Sequence, residues 1–325
     1  MEVTATDLDQ RSVPAPTESH LVLWNTSAFW ALRPEEVDRR VQLDQTDDGG
    51  RLVGSFVGGR VDDRCTSGFG APFGGFDLTR EAETVANIEA LVDTTLAELG
   101  DDGVATVEVR AKPEHYGANE SSLIFVLLNR GFAVAGCDLN TYLDLEGMTT
   151  VDEYVAGLKP AARKMLRRSS ALGLDAFQVA PDDEVGWAEA YEVLRRNRVD
   201  RGRPMRLGLE YVRAIRDAFP GRVRLLGLAD GDSLVAAALV YRVGVGCDLV
   251  QYWGDALHSL ASSPMNRLVQ VVVEHSLAAG ARTIDIGISS EDGVPNHGLL
   301  QFKRSVGCRI EPRLELVGPA IDRSP

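Results

Sequence analysis

The sequence predicts an α/β protein with mixed sheets, arranged as two domains of similar element order. Three observations predict it. Strand-length apolar runs alternate with amphipathic helical stretches, the pattern of sheets layered with helices. Hairpin signals and one late strand–helix–strand unit argue for mixed sheets over a purely parallel one. At 325 residues the chain exceeds one typical domain, and its second half repeats the order of the first at larger scale.

Residues 1–18 are rich in Thr, Ser, Pro and Asp and read as a disordered lead-in. The first domain then covers residues 19–150 and the second 151–325. In the first, a helix is expected from Ser27 to Arg40, with strands near Arg51–Val57 and Val61–Ser67 and a glycine-rich stretch from Gly68 to Phe76. A long helix follows, because Val85, Ile88, Leu91, Val92, Leu96 and Leu99 recur at helical spacing before Gly100. Ala105–Arg110 reads as a strand, Ser121–Asn129 as a helix and Thr141–Leu145 as a strand.

In the second domain a helix is expected over Asp152–Leu172, a strand over Leu174–Val179, and helices over Val185–Asn197 and Leu209–Ala218. Val223–Ala229 and Leu234–Val243 flank Asp230-Gly231-Asp232, a hairpin signal because Asp-Gly suits a tight turn between apolar runs. A strand at Asp248–Trp253 leads to a turn at Ser262-Ser263-Pro264 and a helix over Asn266–Ala279, with Leu268, Val269, Val272, Val273 and Leu277 on one face. The strand Thr283–Ile286 opens into a loop from Gly287 to Gly298.

Composition excludes several function classes. The longest apolar stretches, such as Leu234–Tyr241, are too short to span a bilayer, and the start, MEVTATDLDQ, lacks the basic and apolar regions of a signal peptide. The expectation is a cytoplasmic protein with no membrane insertion. Cys65, Cys137, Cys247 and Cys308 are far apart, without a CxxC pair or a histidine at ligand spacing, so neither a disulfide framework nor a metal site is expected, and no tightly bound cofactor is implied. A net charge of −14 repels polyanions and excludes a generic DNA binder. Two basic stretches stand against that average, Lys159–Arg168 and Arg195–Arg206.

Several segments together carry a family resemblance. In the first half these are Ala71-Pro72-Phe73-Gly74-Gly75, Lys112-Pro113 to Tyr116, and Arg130-Gly131-Phe132. In the second they are the basic stretch Lys159–Arg168 ending at Gly173, Pro264–Leu268, Gly280–Ser289, and above all Gly298-Leu299-Leu300-Gln301-Phe302-Lys303. The pattern resembles the Fem family of aminoacyltransferases and its GNAT-type relatives. The resemblance implies two tandem GNAT-like domains with the active site mainly in the second. It also implies transfer of an aminoacyl group from aminoacyl-tRNA to an amine, with the lysine of Phe302-Lys303 stabilising the tetrahedral intermediate.

Acetyl-CoA enzymes of this superfamily carry R/Q-x-x-G-x-G/A, whose backbone amides hold a pyrophosphate at a helix N-terminus. The one match, Arg224 to Ala229, falls in a predicted hairpin strand and reads as chance. After Gly254, where that loop belongs, ALHSLASSPMNRL has no glycine-rich cradle, a departure shared with the Fem family.

Amide formation needs a neutral amine, a route for its proton, and positive charge beside the developing oxyanion. Lys303 is the candidate for the charge, against a surface lysine pairing with a loop acid such as Glu291. Asp285, before Gly287, suits a proton acceptor or a loop anchor; His297 suits a general base or a solvated loop histidine. Tyr252, Trp253 and Phe302 offer flat faces for substrate or for the core, and Ser289 and Asn296 flank the same loop. Arg163, Lys164, Arg167 and Arg168, and in a second Arg-rich loop Arg198, Arg201 and Arg203, suit the acceptor end of a transfer RNA or a solvated surface. Gly74 and Gly75 read as a turn or as substrate-lining backbone.

The acceptor expected is an amine of a peptidoglycan precursor or of a peptide-like small molecule, and the absence of a long heptad arm favours the smaller. Two alternatives stand beside this reading: an N-acyltransferase using acyl-CoA or an acyl carrier protein, and a non-catalytic twin-domain binding module.

Overall fold

A computed structural model of the chain describes residues 3–5, 20–32, 39–68, 70–82, 84–117, 120–256 and 264–321. The chain divides into two compact units, Met1–Leu139 with Ser290–Val294 and Glu311–Pro325, and Asn140–Ser289 with Pro295–Ile310.

The first unit runs β1 (Val3–Ala5), α1 (Ser27–Trp30), β2 (Arg39–Thr46), β3 (Leu52–Val61), β4 (Arg64–Ser67), β5 (Phe76–Leu78), α2 (Val85–Asp101), β6 (Thr106–Arg110), α3 (Glu120–Asn129) and into β7 (Ala133–Asp144). Neighbouring strands are ordered β1-β2-β3-β4-β6, with β5 also on β3, and only β4 and β6 pair in parallel. Thr84 caps α2 by accepting the Asn87 N–H, and Ile88, Leu91, Val92, Leu96 and Leu99 pack on Phe56, Val107 and Val109. Each such burial stabilises by roughly 2 kcal/mol before entropy is counted. Val85, in the first turn, is 45 % exposed and lies off this stripe.

The helix expected over Ser27–Arg40 is corrected: α1 ends at Trp30, and Arg39 and Arg40 open β2, where Val41, Leu43 and Gln45 are buried at the period of two of a strand. Residues 33–38 lie outside the described ones. In the expected lead-in, Val3–Ala5 pairs with β2 in antiparallel register, and the rest up to His20 lies outside the described residues. Gly74 serves close approach: a Cβ there would meet the Asn25 side chain at 2.7 Å.

From the end of β7 the chain continues through α4 (Val151–Gly157), α5 (Pro160–Ser170), β8 (Asp175–Gln178), α6 (Glu184–Asp200), α7 (Leu209–Ala218), β9 (Val223–Asp230), β10 (Ser233–Gly244), β11 (Cys247–Asp255), α8 (Pro264–Ala278) and β12 (Thr283–Ile288). Then come β13 (Ser290–Glu291), β14 (Val294–Pro295), α9 (His297–Ser305) and β15 (Arg309–Pro319), which pairs with β6. In the second unit the strands are ordered β7-β12-β11-β10-β9-β8, antiparallel except for β11 with β12. Leu268, Val269, Val272 and Val273 of α8 are buried in its core, as the helical stripe predicts.

Two further expectations change. The helix over Asp152–Leu172 is two helices, because Pro160 lacks the N–H that a continuing helix needs; Leu158 and Lys159 are extended, and the proline opens α5 at its first turn. The loop from Gly287 to Gly298 contains the β13–β14 pair and the start of α9. Of the turn expected at Ser262-Ser263-Pro264, Pro264 begins α8 and the serines lie outside the described residues. Among the described residues no helix is long and apolar enough to cross a membrane.

Candidate active site

Two parallel strands of the second unit part company at its centre. β11 and β12 pair at Cys247 with Thr283, Asp248 with Ile284 and Leu249 with Asp285, and at no later position. On their outer edges both strands stay paired, β11 to β10 and β12 to β7, and each shifts register just where the inner pairing ends, at Val250/Tyr252 and at Asp285/Gly287. Each bulge bends its strand and strengthens its twist, so the strands diverge into a wedge. Gln251, Tyr252, Trp253, Gly287 and Ile288, beyond the last pair, are half-buried in otherwise buried strands.

Gly287 is the pivot of the β12 side. Its φ of +76° is a left-handed conformation that glycine adopts without cost. Its N–H donates to Asp285 Oδ1 at 2.6 Å, and its carbonyl accepts from Thr141 Oγ1 and from Lys303 Nζ, both at 2.8 Å. Lys303 also donates to the Ile288 carbonyl at 3.0 Å, and Asn140 Nδ2 donates to Asp285 Oδ1 at 3.1 Å. Asp285 and Lys303 are 1 % and 2 % exposed, so a carboxylate and an ammonium are both held inside the fold around one strand bend. Burial pushes the neighbouring Cys308 thiol up to about 12; Lys303 pulls it down and Asp285 pushes it up.

The structure thus changes the setting of several sequence candidates. Lys303 is a buried residue of α9, where the sequence suggests a lysine after a flexible loop. Asp285 sits within β12, not at its end. His297 is the exposed first residue of α9, and Asn296 caps that helix, its Oδ1 accepting the Leu299 N–H at 3.0 Å. The Ser289 hydroxyl is buried with no hydrogen-bond partner among the described residues, and its carbonyl accepts the Asn296 N–H.

Trp253 of β11 and Phe302 of α9 meet edge to face at 5.9 Å. Tyr252 lies under the Arg198 guanidinium, 5.5 Å from its ring centre. Arg198 belongs to α6, so the second basic stretch is helical up to Asp200; Arg201 is the C-cap and approaches Asp255 at 3.6 Å. A cavity of about 730 Å³ beside α6 is lined by Glu192, Arg196, Asn197, Asp200, Asp232 and Asp255 among others, and by none of the residues around Lys303. Arg163 donates to the Ala156 carbonyl, while Lys164 and Arg167 point outward on α5; among the described residues no contact joins these three to the Lys303 cluster.

Sequence reasoning missed Asn140 and Thr141 as anchors of the site. Their signal was two polar residues between Leu139 and Leu143 in an apolar strand, both fully buried in the structure. The glycine of the apparent phosphate motif, Gly227, pairs with Ala237 inside the β9–β10 ladder. The match from Arg224 to Ala229 is therefore strand, not loop.

Residues 160–304, spanning α5 to α9, match the model of the acetyltransferase (GNAT) domain. This segment is a GNAT domain, and the protein is an acyltransferase. No curated protein matches the sequence. Among solved structures, FemX is similar over 94 % of both chains at 13 % identity, with a TM-score of 0.71. The C-terminal domain of a putative lysylphosphatidylglycerol synthetase from Agrobacterium fabrum is similar over 85 % of this chain and 83 % of that one, at 13 % identity and a TM-score of 0.54. L-PGS from Bacillus licheniformis follows at 12 % identity over 87 % and 85 %, with a TM-score of 0.52. The fold is that of two tandem GNAT-like halves, and the Lys303 cluster lies in the half that the GNAT model matches.

Proposed function

We propose that the GNAT domain forms an amide by moving an aminoacyl group from aminoacyl-tRNA to the amine of a peptidoglycan precursor or a peptide-like small molecule. The observation that carries this reading is the buried Lys303 ammonium, anchored on the Gly287 and Ile288 carbonyls where β11 and β12 diverge. The neutral amine attacks the ester carbonyl, the C–N bond forms, and the carbonyl electron pair moves onto oxygen. Two backbone carbonyls hold the ammonium at the strand bend, from where its field stabilises that oxyanion. We assign His297, exposed at the start of α9, to take up the amine proton; collapse re-forms the carbonyl and breaks the ester C–O bond, and the ribose oxygen leaves as a hydroxyl by taking that proton. Asp285 is a positioning residue: by accepting from Gly287 and Asn140 it fixes the bend that presents the lysine's two carbonyls.

Aminoacyl-tRNA as donor is supported by the similarity to FemX and by the sequence after β11, which lacks a glycine-rich phosphate cradle. The match to an acetyltransferase model favours the second reading, an acyl thioester donor on coenzyme A or a carrier protein. The test mixes purified protein with total aminoacyl-tRNA or acetyl-CoA and a panel of amines. A new amide with deacylated tRNA, abolished by ribonuclease pretreatment, is the expected result; amide with free thiol, insensitive to ribonuclease, replaces it with the second reading.

A further inference from the structure

The helix α5 carries its charge on one side only. At about 100° per residue, Arg163, Arg167, Lys164 and Arg168 fall within an arc of about 140°, and Ala162, Leu166 and Ser169 occupy the opposite side. Leu166 and Ser169 are buried and Ala162 packs on the core that includes α8, so the helix is held by one face and offers the other to solvent. Lys164, Arg167 and Arg168 are exposed, and among the described residues none of the three has an acidic partner. Several other arginines of the second unit are matched: Arg195 and Arg196 with Glu192, and Arg213 and Arg216 with Glu184. In a chain of net charge −14 this arc gathers three exposed cations on one helix face, and its charge is complementary to a polyanion.

We propose that this face of α5 docks the phosphate backbone of an RNA, the transfer RNA of the reaction proposed above, on which this inference rests. Neighbouring cations three and four residues apart on a helix lie about 5–6 Å from one another, so several can meet phosphates of one strand at once. RNA fits better than a bilayer, because α5 spends Ala162 and Leu166 on the core and turns outward, as a large apolar side chain, Met165, which is 40 % exposed.

The test measures binding of bulk deacylated tRNA against salt for the full chain and for Lys164→Glu/Arg167→Glu/Arg168→Glu, with the melting temperature as the check on folding. Charge reversal is expected to weaken binding at least about tenfold at 0.1 M salt and to make the slope of log K against log salt shallower by about 2. Arg167→Lys/Arg168→Lys, which keeps the charge, should bind within about threefold of the native chain. Unchanged affinity and slope in the reversed variant would overturn the docking surface and leave the aminoacyl-tRNA reading standing. A native chain that binds no tRNA yet forms amide from a thioester overturns both. A native chain that ignores tRNA but binds vesicles containing anionic phosphatidylglycerol through these residues makes the face a membrane dock and overturns the RNA assignment.

Discussion

At the scale of single residues, the first unit holds a buried ionic cluster whose titration is measurable. Lys112 Nζ lies 2.7 Å from Asp77 Oδ1 and 3.0 Å from Glu120 Oε1, and Asp77 Oδ2 also accepts from Asn25 Nδ2 and the Val22 N–H. Burial alone would lower the lysine, but the two carboxylates hold it charged, above its ordinary value. Burial pushes Glu120 up to about 7 even with Lys112 beside it, and among the described residues its Oε2 has no hydrogen-bond partner. A carboxyl raised on folding is protonated in the native state when the unfolded chain has already lost its proton, so stability falls as pH rises from about 4.5 to about 7. The loss amounts to at most about 3 kcal/mol. Glu120→Gln should flatten that slope in urea unfolding between pH 5 and pH 8; an unchanged slope would assign it to other groups. Lys112→Met leaves two buried carboxylates without their cation and should cost about 3–5 kcal/mol, against under 1 kcal/mol if the cluster is effectively solvated.

At the scale of elements, the proposed chemistry depends on the bend in β12. Gly287→Ala meets no atom within 4 Å but forces a side chain into a left-handed conformation, at a cost of about 1 kcal/mol. Because the Gly287 carbonyl holds both Thr141 and Lys303, turnover should fall more than about tenfold with KM little changed. Native turnover in that variant would detach the bend from the chemistry. The stripes of α2 and α8 and the β9–β10 hairpin were legible in the sequence, because each is set by periodicity or by a turn residue within the element. α9 was not: Pro295 and Gly298 look like loop residues, and only the Asn296 cap starts the helix between them. β15 was also missed, since only Glu311, Leu316 and Gly318 are buried in its eleven residues and no alternation shows. Phe302-Lys303 was legible through resemblance, whereas the carbonyls that hold the lysine and the pairing of Asn140 with Asp285 depend on contacts far apart in sequence.

At the scale of the molecule, the fold is that of two tandem GNAT-like halves. The diverging parallel strands, Asp285 and Lys303 lie in the second unit, inside the segment that the GNAT model matches. The first unit, with its Lys112 cluster, contributes a core of its own. Activity supported by charged tRNA should also fall with added salt as the donor dissociates, whereas a thioester-driven reaction should be far less salt-dependent. Comparing initial rates at 0.05 M and 0.3 M salt with the two donors checks this.

The central claim is that the Lys303 ammonium stabilises the oxyanion of amide formation. Single-turnover release of deacylated tRNA, with a saturating amine, tests it most directly in native protein and in Lys303→Ala of matched secondary structure. The variant's rate is expected to be at least about 100-fold lower. An undiminished rate would contradict it and place the catalytic charge elsewhere.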